Sequence, residues 1–270
     1  MAFELDPAQP LPRHLRSIAL DELRQALDLV RRGNAKDIHD MRKATQRVRA
    51  WLRLLRPVIG RDYVVLNSLL RDAARAVAGS RERDVARATL RSLQRKIGLT
   101  PDEAVTLRRE VLQRLPAESR RHRQQSRRLS AQLIAVSRLY LRRVTLARAA
   151  PPRLEKGLRA ARRRCRSAYA RVRRQATPLR LHEWRKQAKY QRFQLALLAR
   201  LIPDYAGNER SLKRLLDALG QHHDLHQLER VLRRAEAPRR ERLLQEIHER
   251  QARLERRALK IGRRLFASER

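Results

Sequence analysis

The sequence predicts an all-α protein made of two pseudo-symmetric helical bundles that arose by internal duplication. Three observations predict it. Apolar residues recur every three or four positions, no stretch alternates as a strand would, and a 17-residue pattern occurs twice, 143 positions apart. Residues 39–55 read HDMRKATQRVRAWLRLL and residues 182–198 read HEWRKQAKYQRFQLALL. The gap-free register pairs His39 with His182, Asp40 with Glu183, Arg42 with Arg185, Lys43 with Lys186, Arg49 with Arg192, Leu52 with Leu195 and Leu55 with Leu198.

Helices are expected over 12–32, 35–57, 62–78, 82–97, 102–115, 118–148, 152–174, 178–202, 207–219, 223–235 and 239–266. Gly33-Asn34 closes the first and caps the second, where Asp37 completes a capping box. Pro57 ends the second. Gly98 and Thr100-Pro101 separate the fourth from the fifth, and Leu115-Pro116 and Pro151-Pro152 bound the long sixth. Thr177-Pro178 supplies an N-cap and a first-turn proline to the eighth. Pro203, Gly207-Asn208, Gly220 and Pro238 mark the remaining breaks. A weaker echo sets Gly79-Ser80-Arg81-Glu82-Arg83-Asp84-Val85 against Gly220-Gln221-His222-His223-Asp224-Leu225. The division falls near 150, giving a first repeat over 12–150 and a second over 151–267.

The charge balance narrows the partners. In 270 residues, 66 Lys and Arg face 28 Asp and Glu, a net charge of +38. Such an excess repels itself on compaction and favours a polyanion that neutralises it. Only eight of the bases are Lys; codon bias in a GC-rich genome and bidentate clamping of phosphate oxygens by guanidinium both fit that choice. Between Ser119 and His182, twenty bases accompany the single acid Glu155. Cys165 is the only cysteine, which excludes an intrachain disulfide and a cysteine-rich metal centre. The acidic first residues and the absence of a membrane-length apolar run predict a cytoplasmic protein without a membrane partner.

On residues 35–57, Ile38, Met41, Thr45, Val48, Leu52 and Leu55 form a docking stripe. His39, Arg42, Lys43, Gln46, Arg49, Arg53 and Arg56 form a cationic stripe about one position round the helix. The second copy docks by Leu181, Trp184, Ala188, Leu195 and Leu198, with Gln191 interrupting, and holds out His182, Arg185, Lys186, Lys189 and Arg192. Bases at i, i+3, i+4 and i+7 present donors a turn apart, as a chain of phosphoryl groups requires. The two histidines lie five residues past their caps, where helix N-termini favour anions. On residues 152–174, Arg159, Arg162, Arg163, Arg166, Arg173 and Arg174 lie mostly along one side, where they could line a groove opposite His182. Arg120, Arg123, Arg127, Arg138, Arg142 and Arg143 fit a solvated face as well as a ligand face. Asp84 and Asp224 suit arginine anchoring or capping. The acids of 236–256, spaced three or four from arginines, mark the last helix as scaffold. Adjacent His222, His223 and Asp224 point about 100° apart on a helix and make no metal site of their own. No cofactor, metal or catalytic set is expected.

With the paired His39 and His182 and their Arg-Lys followers, the sequence resembles the CHAD family, the conserved histidine α-helical domain, over about 12–266. The resemblance implies two helical bundles with internal pseudo-symmetry, a basic central cavity, binding of inorganic polyphosphate, and for some members association with polyphosphate granules or fusion to a CYTH-type domain. It implies phosphate contact for His39, Arg42, Lys43 and Arg49, and for His182, Arg185, Lys186, Lys189 and Arg192. His223-Asp224 and Arg83-Asp84 resemble the family's second signature. Two departures stand out: Gln46 matches Lys189 and Arg47 matches Tyr190, so the halves need not grip equally. No CYTH-type segment is recognised, so triphosphatase activity would come from another protein. The expected partners are polyphosphate, granule components and polyphosphate-processing enzymes. The alternative is non-sequence-specific nucleic-acid binding, although no zinc finger, helix-turn-helix or aromatic stacking platform is recognisable. A metal phosphohydrolase would need carboxylates around histidines that here stand among cations.

Overall fold

The computed structural model describes residues 3–115, 119–202 and 207–266. Among them the chain forms eleven helices and no strand: α1 (Leu11–Arg32), α2 (Ala35–Leu54), α3 (Arg56–Ile59), α4 (Asp62–Ala76), α5 (Gly79–Ile97), α6 (Pro101–Gln113), α7 (Arg120–Arg143), α8 (Pro151–Arg174), α9 (Pro178–Leu198), α10 (Gly207–Leu232) and α11 (Arg240–Phe266). The expected breaks at Pro116 and Pro203, and position 267, lie outside the described residues.

Caps form where the residue types place them. Asn34 accepts from the Asp37 backbone N–H (2.8 Å) and its amide donates to the Asp37 carboxylate (2.6 Å). Thr177 accepts from the Arg180 N–H (3.3 Å), and Thr100 with Glu103 makes a reciprocal capping box. Arg127, read from sequence only as part of a basic face, is a C-terminal lock: its guanidinium donates to Val30 O and Arg31 O, over Gly33 in its left-handed conformation.

Three expected boundaries are corrected. The helix expected to run to Pro57 stops at Leu54, and a short turn, α3, carries the proline in its first turn, where a missing N–H costs nothing. The break expected at Gly220 does not exist. α10 runs unbroken from Gly207 to Leu232, and Gly220 has no positive φ. The helix expected over 118–148 ends at Arg143, and the Val144 carbonyl is taken by Arg16 (2.6 Å).

Both docking stripes read from the sequence are buried, including Gln191. One apolar core joins α1, α2, α4, α7, α8 and α9 to the first part of α10 and the end of α11. A second joins α5 and α6 to the later part of α10 and the start of α11. Residues from both sides of position 150 enter both cores. α8 approaches α2 at Gly157, where a Cβ would lie 2.2 Å from Leu54 O. α11 approaches α8 and α9 at Gly262, against Tyr169 and Trp184. Cys165 is fully buried in that region, and burial pushes its thiol up to about 12.

Ion pairs brace the far end. Glu246 on α11 meets Lys96, Arg250 and Arg253, and Arg239 meets Glu103. Glu229 gathers Arg233, His248 and Gln251, and although burial opposes its charge, these donors bring its carboxyl down to about 2.

Candidate functional site

α2 and α9 carry the paired signature and cross where the buried Gln194 donates to Ala50 O (2.9 Å). Arg53, a turn further along α2, lies 4.2 Å from the ring centroid of Tyr190, a turn earlier on α9. The helices therefore pass in opposite directions. His39 precedes Ala50 by eleven residues and His182 precedes Gln194 by twelve, about 16–18 Å of helix axis on opposite sides of the crossing.

At the His182 end, the imidazole stacks obliquely on His223 of α10, ring centroids 4.8 Å apart. Burial, then the charges of Arg185 and Lys186, hold its pKa below the ordinary value, with Glu183 opposing. Arg185 lies along α10, its Nη2 3.6 Å from where a Cβ at Gly220 would stand, an ordinary contact distance, so the glycine read as a helix break sits beside a guanidinium within an intact helix. Lys186 pairs with Glu183 (2.9 Å), Lys189 is half-buried on the same helix, and Arg192 donates twice to Glu209 of α10 (3.2 and 3.1 Å).

At the other end, His39 is half-buried, Arg42 Nη1 donates to Ala74 O at the end of α4, and Lys43 pairs with Asp40 (3.0 Å). Arg47 reaches Glu22 (2.7 Å) and covers Phe3, while Leu5 N–H bonds to Leu197 O (2.9 Å) and Asp6 meets Arg200 (3.6 Å). The N-terminal residues thus close this end of α9.

Between the ends, the C-terminal part of α2 meets α8. Arg49 donates to the neutral Asn67 (3.1 Å) and Arg56 covers Tyr63 (5.1 Å). Burial first, then Arg53 and Arg71, lower the pKa of Arg49. On α8, Arg159 is paired with Glu155 (3.1 Å), and Arg163 and Arg166 are exposed. Sequence reasoning missed Arg164. It is half-buried, and burial, then Arg53, Arg56 and Arg163, depress its pKa. Its signal was legible: it sits three residues after Ala161 and four before Ala168, a cation at the edge of a stripe of small buried residues.

The basic residues along α2, α9 and the near side of α8 are consistent in chemistry with an anion-binding role. Among the described residues, no group of three or more His, Cys, Asp and Glu side chains is placed to hold a metal ion, and no helix is long and apolar enough to cross a membrane. A groove along α1 is lined by Asp21, Glu22 and Asp28 with Arg24 and Arg32, an acidic setting unsuited to a polyanion.

The match to the CHAD domain spans residues 16–233. The chain belongs to the CHAD family. CHAD domains are non-catalytic binding modules. No curated protein matches the chain. Among solved structures, it is similar in fold to the CHAD domain from the plant Ricinus communis, with 17% identity, 100% of this chain and 96% of that chain covered, and a TM-score of 0.60.

Proposed function

We propose that this CHAD domain binds inorganic polyphosphate along the basic faces of α2, α9 and α8, as a receptor and not as an enzyme. One observation carries the reading: the histidine, arginine and lysine signature occurs on two crossing helices, each docked by an apolar stripe that leaves its basic residues on the next face. His39, Arg42, Lys43, Arg49 and Arg53 supply one stretch of donors. His182, Arg185, Lys186, Lys189 and Arg192, with His223 on α10, supply the other, and Arg159, Arg163 and Arg166 flank it on α8. Phosphoryl oxygens replace the water on these groups, and counterion release makes the sum of weak contacts large and salt-sensitive.

The two repeats, 12–150 and 151–267, derive on this reading from one duplicated unit whose copies interlock through shared cores. Matching side chains support it: Arg49 reaches Asn67 on α4, and its counterpart Arg192 reaches Glu209 on α10. A cytoplasmic protein of this kind would meet its ligand on polyphosphate granules, beside the enzymes that make or degrade the polymer.

The test is calorimetry with long-chain polyphosphate at about 150 and 500 mM salt, competed with single-stranded RNA and duplex DNA of matched charge. Binding that survives both competitors and is lost in the quadruple variant H39Q/R42Q/H182Q/R185Q is expected. Equal displacement by all three polymers, unaffected by those substitutions, would replace the reading with non-specific nucleic-acid binding.

A further inference from the structure

We infer that the junction of α2, α3 and α8 is a phosphoryl subsite within that surface, in which Arg53, Arg56, Arg163 and Arg164 grip the same polymer and polarise its binding toward the His182 end. The inference rests on the polyphosphate reading above and adds Arg56 and Arg164 to the residues named there.

Three features build the subsite. α8 approaches α2 at Gly157, and Arg164 follows seven residues later, two turns along and on the same face. That places its guanidinium among those of Arg53, Arg56 and its neighbour Arg163, three helices contributing to one cluster. Among the described residues, none of these four arginines has a carboxylate within ion-pair distance, although the chain pairs many of its other arginines. Two of them rest on aromatic faces, Arg53 on Tyr190 and Arg56 on Tyr63. A ring fixes the guanidinium plane from one side and leaves the N–H edges free to donate in pairs, which is how arginine meets a phosphate.

The setting opposes the charges it holds. Burial and neighbouring cations both weigh against the ionised form of Arg164, and the same forces, Arg53 among them, act on Arg49 of α2. A fold that gathers partly desolvated like charges without an acid loses stability while empty and recovers it when an anion arrives. The cluster is also one-sided. The positions matching Arg53 and Arg56 in the second copy are Ala196 and Ala199, so the crossing has no equivalent grip at the His39 end. The Glu183 carboxyl, one residue from His182, feels the charge of Arg53, which joins the subsite to the second signature.

The experiment compares three forms of the full chain: wild type, R53Q/R164Q, and R142Q/R143Q, which removes the same charge from an exposed part of α7. Polyphosphate affinity is expected to fall about thirtyfold or more in R53Q/R164Q and less than about threefold in R142Q/R143Q, and the salt dependence of R53Q/R164Q to become shallower by roughly two phosphate contacts. Without ligand, R53Q/R164Q should melt at or above the wild-type temperature, by up to about 4 °C. R53K/R164K keeps the charge and loses the fork, and should bind between the two. Equal losses in the two glutamine pairs, or an unliganded R53Q/R164Q that melts below wild type, would overturn the subsite and leave the polyphosphate reading standing. No binding by the wild-type chain would remove both.

Discussion

On α9, Arg192 reaches a carboxylate, Glu209; at the matching place on α2, Arg49 reaches the neutral amide of Asn67. The same contrast recurs along the two helices. Arg53 and Arg56 stand where the second copy has Ala196 and Ala199. The carbonyl of Leu54 faces Gly157 of α8, whereas that of its counterpart Leu197 accepts the N–H of Leu5. The two helices carry the same signature in different surroundings. The copies share a way of docking a helix, while the net field beside each helix is set by a few partner residues on α4, α8 and α10. A cation paired with an acid leaves less net positive charge beside its helix than one held by an amide or an aromatic face.

The contact with the largest expected effect is Gly157 against Leu54 O, which has no counterpart at Leu197. A methyl at Gly157 would stand 2.2 Å from a backbone oxygen, and neither helix can yield without moving as a unit. G157A should destabilise the protein by about 3 kcal/mol, and its melting temperature should fall by roughly 6–12 °C. Thermal and urea unfolding measure this. A loss below about 0.5 kcal/mol would mean that α8 does not press on α2, and the one-sidedness of the junction would go with it.

Exchanging the two partner residues tests the contrast directly. N67E gives Arg49 the acid that Arg192 already has, and should weaken polyphosphate binding about tenfold. E209N releases Arg192 and should strengthen it about threefold, with the opposite small changes in unliganded stability, since partly exposed pairs contribute about 0–1 kcal/mol. Binding titrations on both single variants decide it. Effects equal in size and opposite in sign would show that only total charge matters and that the two helices are electrically equivalent.

Much of this was legible in the sequence because it depends on period and local chemistry. The docking stripes from Ile38 to Leu55 and from Leu181 to Leu198 are buried as their spacing requires, and Asn34, Thr100 and Thr177 cap as their side chains allow. What escaped is tertiary. Gly220 suits a break by propensity, yet α10 continues through it, because its cost of about 1 kcal/mol in a helix is outweighed by packing on both sides. Arg127 looks like surface charge until Gly33 brings the end of α1 beneath it. Arg164 was passed over because exposed arginines were read as the ligand face, whereas a half-buried one at the edge of the core is held where other helices bring their own cations.

The smallest expected effect is the proton response of the His182 end. Burial and the charges of Arg185 and Lys186 lower the folded pKa of His182 below 6.5. The unfolded chain then binds more protons than the folded one between those two values, so stability from this group is present above 6.5 and is lost as pH falls through that window. His222, depressed by burial and by His226, adds to the loss. A bound phosphate chain reverses the sign at His182, because its negative charge favours imidazolium. Binding should therefore take up a proton, and affinity should rise about two- to fivefold from pH 7.5 to 5.5 as unliganded stability falls. Calorimetry in buffers of different ionisation enthalpy reads the proton directly. H182Q should abolish most of the uptake and H39Q little of it if the polymer is held most closely by the α2, α3 and α8 cations, as inferred above. Uptake lost equally in both variants would place the ligand evenly across the crossing.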